Sequence, residues 1–259
     1  MVLMLLLEHS ICNVLEYVLT PDAIIVMNWK WILYFYQDFE VIVFCILVLN
    51  VKSRLRAVNE YLKKFIKDQN NVNFNVFTIT EVNRQKNLQT KLNLVKKIPL
   101  KELAITYDAI GELCSSINQV SNYQIFMTLI TTFFYVVMAI WTTIYQYRLN
   151  RDVSASVVMT IVWVASGMVA IVAIGIVCDR LMTARRDTIV LVNEIIMDSS
   201  LPKALRGQAK MFMQLIEAWP LEMYIYDMFA IDLKLILKFS SVCTTYMIII
   251  IQLSHFTKI

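Results

Sequence analysis

The C-terminal stretch from Phe239 to Thr257 contains no charged residue, and it restricts the possible folds of this chain more than any other feature. A stretch of this length and apolarity can cross most of a bilayer core as a helix. One helix face nevertheless carries a stripe of mostly polar positions at steps of three and four residues: Lys238, Ser241, Thr245, Ile248 and Gln252. Lipid cannot satisfy polar groups, so the stripe predicts either packing against other helices or the lining of a pore.

The composition indicates an integral membrane protein. Hydrophobic residues make up 58% of the 259 residues and charged residues 17%, with only four Gly and four Pro. A soluble chain of this length would not need three charge-poor stretches of spanning length. The five cysteines stand apart and the two histidines are distant, so we expect no disulfide, no metal, no cofactor and no enzymatic activity.

The fold class that we predict is an all-α membrane protein with four transmembrane helices. Their approximate limits are 23–50, 122–147, 156–178 and 233–255. The first span carries Asp38 and Glu40, each of which costs about 2.5–3.5 kcal/mol near the membrane centre. We therefore expect this helix to depend on its neighbours or on a watery cavity. Residues 1–22 are too short and too charged to span, and we interpret them as the remnant of a preceding helix or an outer loop.

Long amphipathic extensions follow or precede these spans. Their limits are 51–68, 99–121 and 179–219, and the last includes a helix at roughly 202–219 with one apolar side made by Leu205, Phe212, Leu215 and Trp219. The Asn- and Lys-rich segment after residue 68 has little periodicity and predicts a mobile linker. Apolar stripes need partners, so the extensions are expected to pack together as one helical anchor.

Basic residues predict the topology. Segments 51–119 and 178–238 hold twelve and eight Lys/Arg, whereas the turn 147–155 holds two. Because basic residues are enriched on the cytosolic side, the anchor is expected to be cytosolic and the C-terminus extracellular.

Three short motifs carry a resemblance to a known family. The terminal helix has Thr245-Tyr246, five apolar residues, then Gln252-Leu253; FAID precedes it, and YDAIGELCSSIN leads into the second span. Together with the layout of spans, these motifs resemble the insect gustatory receptor family of the insect chemoreceptor superfamily. The chain departs from the family pattern at Leu253, where Phe is usual, and near Asp227, where a glycine is usual.

The resemblance covers about residues 23–259, a transmembrane chemoreceptor domain, and implies that these spans correspond to the last four of seven. The chain is then expected to be an N-terminally truncated or degenerate member. Family members are similar in forming tetrameric, ligand-gated, nonselective cation channels in the plasma membrane, with the last helix lining the pore. By position, Gln252 and Leu253 would form the outer gate, with Ile249, Thr245 and Ser241 below them and Tyr246 packed behind.

The resemblance also implies a small-molecule tastant and a pocket for it in the outer half of the membrane. The candidate pocket residues are Trp29, Trp31, Tyr34, Asp38, Trp141, Tyr145 and Trp163. The alternative for the aromatic residues is an interfacial belt in contact with membrane lipid. The alternative for the whole chain is a nonconducting fragment or accessory subunit of such a receptor, or an odorant-receptor-like relative. The basic linker after residue 68 is interpreted as a cytosolic loop near anionic lipid and not as a nucleic-acid site, so we expect no nucleic-acid partner.

Overall fold

The computed structural model describes the backbone of residues 24–76, 100–148 and 154–256. Side chains are described within these ranges except at 24–34, 68–76, 154–157, 159–160 and 255–256. The interpretation of residues 1–22 as a remnant therefore lies outside the described residues, as do the side chains of Trp29, Trp31 and Tyr34.

The described chain is almost entirely helical, which confirms the all-α class. Helices α1 (Ile24–Val76), α2 (Leu100–Arg148) and α3 (Ser154–Met197) are long and continuous, and α4 (Lys203–Ala218) and α5 (Leu233–Phe256) follow. The exception is a short antiparallel hairpin of β1 (Tyr224–Ile225) and β2 (Phe229–Ala230), which was not predicted. Helix α1 also continues beyond residue 68 to Val76, so the predicted linker is partly wrong. Once a helix has formed, each further residue adds a hydrogen bond, and poor formers such as Asn are then tolerated.

Three of the described helices are long and apolar enough to cross a membrane: Leu100–Arg148, Ile161–Met197 and Leu233–Ser254. These segments contain most or all of three predicted spans. The predicted first span, 23–50, falls in α1, whose first side chains lie outside the described residues. The structure therefore supports a membrane protein with at least these three apolar helices.

The chain divides into two compact units. Unit 1 comprises Met1–Leu47, Asn118–Asp179 and Met223–Ile259. Within it, α2 and α3 approach closely at Gly167, where an added Cβ would lie 2.7 Å from the Oγ1 of Thr132. The Thr132 hydroxyl donates to the Thr128 carbonyl oxygen in its own helix, so this hydroxyl is satisfied at the contact. A glycine in α3 therefore lets the two apolar helices pack at short range.

Unit 2 comprises Val48–Ile117 and Arg180–Glu222, and it contains a well-buried apolar core. The stripe of α1 is buried along its length, at Val51, Leu55, Val58, Leu62 and Phe65. Helix α4 buries Leu205, Ala209, Phe212 and Ile216, so Ile216 takes the inward position that was predicted for Leu215. The Tyr107 ring meets the Phe212 ring edge-on at a centroid distance of 5.7 Å. The apolar stripes of these extensions therefore find their partners within this unit.

Candidate functional site

The hairpin that precedes the last helix reverses the chain without glycine. Tyr226 and Asp227 adopt positive φ angles of 47° and 57°, and the Met228 amide donates to the Ile225 carbonyl oxygen at 2.9 Å. Two consecutive positive φ values are typical of type I′ turns, which usually contain Asn, Asp or Gly. The tight turn that was in question because a glycine is expected near Asp227 is therefore made by Tyr226 and Asp227 themselves.

Two asparagines of α2 hold this hairpin through its backbone. The Asn118 Oδ1 accepts the Tyr224 amide at 3.0 Å, and the Asn122 Oδ1 accepts the Tyr226 amide at 3.2 Å. Asn118 and Asn122 are four residues apart and therefore lie on the same face of α2. The Tyr226 ring also packs edge-on against Phe126, with centroids 5.6 Å apart. This one face of α2 therefore fixes the segment that leads into α5.

Asp232 begins α5. Its Oδ1 accepts the amide of Leu235 at 3.0 Å, the hydrogen bond of a helix N-cap. Gly175 of α3 lies beside this start, since an added Cβ there would be 3.3 Å from the Asp232 carbonyl oxygen. The FAID motif, Phe229 to Asp232, therefore consists of strand β2 and the cap of the last helix.

The YDAIGELCSSIN motif organises the end of α4 within unit 2. The Trp219 indole N–H donates to the Asp108 Oδ1 at 2.7 Å, and the Tyr107 hydroxyl donates to the Trp219 carbonyl oxygen at 3.0 Å. An added Cβ at Gly111 would lie 2.5 Å from the Trp219 ring. Gly111 therefore leaves the space into which the indole packs.

The polar stripe of α5 lies opposite the face that α5 packs on its own chain. The packed face contains Leu235, Cys243 and Ser254, which are buried. At about 100° per residue, the stripe positions Ser241, Thr245 and Gln252 fall on the other side of the helix. All three are exposed, as are the stripe members Lys238 and Ile248 and the predicted gate residue Ile249. The predicted gate residue Leu253 is also exposed, but eighteen residues after Leu235 it falls on the packed side of the helix. The stripe is thus not used for packing within the described part of the chain.

Helix α5 is also the least covered of the apolar helices. Within the structure, only 11% of the most apolar stretch of α5 is buried, compared with 22% for α2 and 33% for the Ile161–Met197 segment of α3. The Thr245 hydroxyl donates to the Ser241 carbonyl oxygen, which satisfies it within the helix. Tyr246 lies on the packed side of α5, about 100° around the helix from Thr245, and packs edge-on against Phe133 with ring centroids 5.1 Å apart. The helix therefore carries a long polar and apolar surface that the described part of the chain leaves uncovered.

The predicted ligand-pocket residues are only partly described. Asp38 and Trp163 are half-buried, whereas Trp141 and Tyr145 are about half exposed. The linings of the cavity beside Phe65 and Leu201 and of the cavity between Lys52 and Asp187 include none of these four residues.

Glu40, the second acid of α1, has a partner that the sequence analysis did not identify. The Glu40 Oε1 accepts from the Gln124 Nε2 of α2 at 2.6 Å in a half-buried position. An acid in an apolar helix is costly unless it is paired, and the amide of Gln124 meets this need. The sequence signal that points to this pair is that α1 carries acids within a predicted span and α2 carries a single Gln near the start of its own apolar span.

These observations define a multi-span helical membrane protein with a hairpin-supported terminal helix. The chain matches the family described as the 7tm chemosensory receptor over residues 1–254, and it belongs to that family. This confirms the resemblance to the insect chemoreceptors and extends the similarity to residue 1. No curated protein matches the chain.

Proposed function

We propose that this chain is a subunit of a taste receptor that acts as a ligand-gated cation channel, with α5 lining the pore. The observation that carries the proposal is the exposed polar stripe on the side of α5 opposite its packed face. In a membrane, a stripe with Thr245 and Gln252 must meet protein or water. Several copies of α5 around an axis would satisfy this requirement.

The gate of such a pore would lie at its outer end. Gln252 would supply a ring of neutral amides, and Leu253 and Ile249 an apolar constriction that closes by dewetting. Thr245 and Ser241 would form the wall below, and the packing of Tyr246 on Phe133 would hold that wall in place. The assembly would be a homo- or hetero-tetramer in the plasma membrane with the C-terminus extracellular and the anchor in the cytosol.

The ligand would be a small-molecule tastant. Asp38, Trp163, Trp141 and Tyr145 remain the proposed pocket residues among those whose side chains are described. A pocket made by this acid and these aromatic side chains would suit a polar organic molecule, since ligand pockets combine apolar walls with a few polar groups.

The first test is the current evoked by a tastant panel in cells that express this chain, alone and together with other receptor subunits. Replacing Gln252 by Ala should change the amplitude or the ion selectivity of the current, because a pore-facing amide is lost. Gln208→Ala is the matched control, since Gln208 is exposed on α4 and far from α5 in sequence. Equal currents for the two variants would remove Gln252 from the pore.

A second test uses the native thiol of α5 as an internal control. The experiment uses a Cys12→Ser background, in which Cys243 on the packed face and the other remaining thiols are buried, so a thiol reagent should leave its current unchanged. Thr245→Cys places a thiol on the stripe, and the same reagent should then block the current. If Thr245→Cys is insensitive while current flows, α5 does not line the pore. If no current flows with any subunit, the chain is a nonconducting or accessory subunit.

A further inference from the structure

An open basic cavity of about 810 Å³ lies in unit 2 between α1 and α3. Four basic side chains line it, together with two carboxylates and three uncharged residues: Lys52, Arg56, Lys63, Arg180, Glu60, Asp187, Asn59, Thr183 and Ala184. Its volume is within the range of small-molecule sites, about 300–1,000 Å³. The cavity is therefore large enough for a ligand and carries excess positive charge.

The positive charge is concentrated at one end. The Lys63 ammonium is paired with the Glu60 carboxylate at 3.3 Å, which leaves Lys52, Arg56 and Arg180 as the basic group at the other end. Partial burial, and then repulsion from Arg56 and Arg180, hold the pKa of Lys52 below its usual range. A bound anion would relieve this repulsion.

The walls of the cavity are held together at its floor. The buried Asn59 Nδ2 donates to the Ala184 carbonyl oxygen at 2.9 Å, and the Thr188 hydroxyl donates to the Asn59 Oδ1 at 2.7 Å. These bonds join α1 to α3 and set the spacing of the basic side chains above them. A cavity held in this way needs little reorganisation when it binds a ligand.

We propose that this cavity binds a polyphosphorylated anion, such as an inositol phosphate, with Lys52, Arg56 and Arg180 as the phosphate ligands. Arginine suits this role because its planar guanidinium donates two parallel hydrogen bonds to a phosphate. The ligand is either a lipid headgroup or a soluble inositol phosphate. Lys52 and Arg180 come directly after the predicted spans 23–50 and 156–178, and basic clusters just inside a membrane bind anionic headgroups.

The test compares two pairs of substitutions in the purified full-length chain in nanodiscs. The site variant is Arg56→Gln/Arg180→Gln. The control variant is Lys64→Gln/Arg186→Gln, which removes the same charge from exposed positions of the same helices outside the cavity. One arm measures binding of inositol hexakisphosphate to nanodiscs of neutral lipid by calorimetry. The other, the vesicle arm, measures binding of fluorescent phosphatidylinositol bisphosphate to the chain reconstituted in vesicles of otherwise neutral lipid.

We expect the site variant to bind at least about tenfold more weakly than wild type, because two charge-assisted hydrogen bonds are lost, and the control to change little. Loss in both arms identifies the phosphate cluster as the ligand, and loss in the vesicle arm alone identifies the lipid. Equal weakening by the two variants, or no binding of either probe by wild type, would overturn the proposal. The measurement needs no ion current, so its outcome is independent of channel function. The soluble arm is independent of the proposed topology as well.

Discussion

Replacing Gly111 by Ala tests whether the Trp219 contact stabilises the protein. Gly111 lies within α2 and is buried, and the added methyl carbon would be 2.5 Å from two atoms of the indole ring. These two atoms, Cγ and Cδ2 of Trp219, lie at the base of its side chain and cannot move unless the whole indole moves. The indole N–H is held by Asp108 and the Trp219 carbonyl oxygen by Tyr107, so the ring has little freedom to shift.

The expected magnitude is a difference of opposing terms. Alanine in place of glycine within a helix gains about 1 kcal/mol. Overpacking costs about 1–3 kcal/mol, and displacement of the ring breaks a hydrogen bond to a carboxylate worth about 1.5–3 kcal/mol. The two costs together exceed the gain, and the free energy of unfolding should fall by about 1.5–5 kcal/mol. In a chain of this size, each kcal/mol corresponds to about 2–4 °C in Tm.

The matched control is Gly207→Ala. Gly207 lies within α4, and no atom comes within 4 Å of an added Cβ there, so only the helix propensity term acts. This variant should gain about 1 kcal/mol and raise Tm slightly. Thermal unfolding can be followed with a thiol-reactive dye, because Cys45, Cys114, Cys178 and Cys243 are buried free thiols. If Gly111→Ala raises Tm as Gly207→Ala does, the described Trp219 contact is wrong.

Two further predictions concern other elements. Asp232→Ala should lower the free energy of unfolding by about 1 kcal/mol through loss of the α5 N-cap, whereas Asp232→Asn should keep the cap and the stability, as measured by Tm. Asn59→Ala should cost about 1–3 kcal/mol because both buried hydrogen bonds of the Asn59 side chain to α3 are lost, and the same measurement on the exposed Asn193→Ala should show little change. Equal effects of the two members of either pair would contradict the assigned hydrogen bonds.

Much of the helical layout could be predicted because hydropathy and helical periodicity are local properties. The apolar stripe of α1, from Val51 to Phe65, has helical spacing, and its burial follows from that spacing. The hairpin was not predicted. Leu221, Met223 and Ile225 are apolar and buried in alternation, as in a strand, but an alternation of three residues is too short to predict one. Strands of two residues depend on tertiary partners, here Asn118 and Asn122, which are about a hundred residues away in sequence.

The candidate site was predicted in part for the same reason. The stripe of α5 is periodic, so its existence could be inferred from sequence. Its direction could not, because a helix turns a polar face inward or outward according to what the other helices offer. The partner of Glu40 was equally hidden, since nothing local connects it to Gln124.

The sequence by itself determined that this chain is a helical membrane protein of the chemosensory receptor family. The length of apolar segments, the distribution of basic residues and short motifs are local properties that do not depend on which helices pack together. Only the tertiary structure decided that the polar stripe of α5 lies opposite its packed face, and that Lys52, Arg56 and Arg180 border one cavity. Those facts depend on which helices meet and at which residues. Pairing across more than a hundred residues is set by the packing of the whole chain.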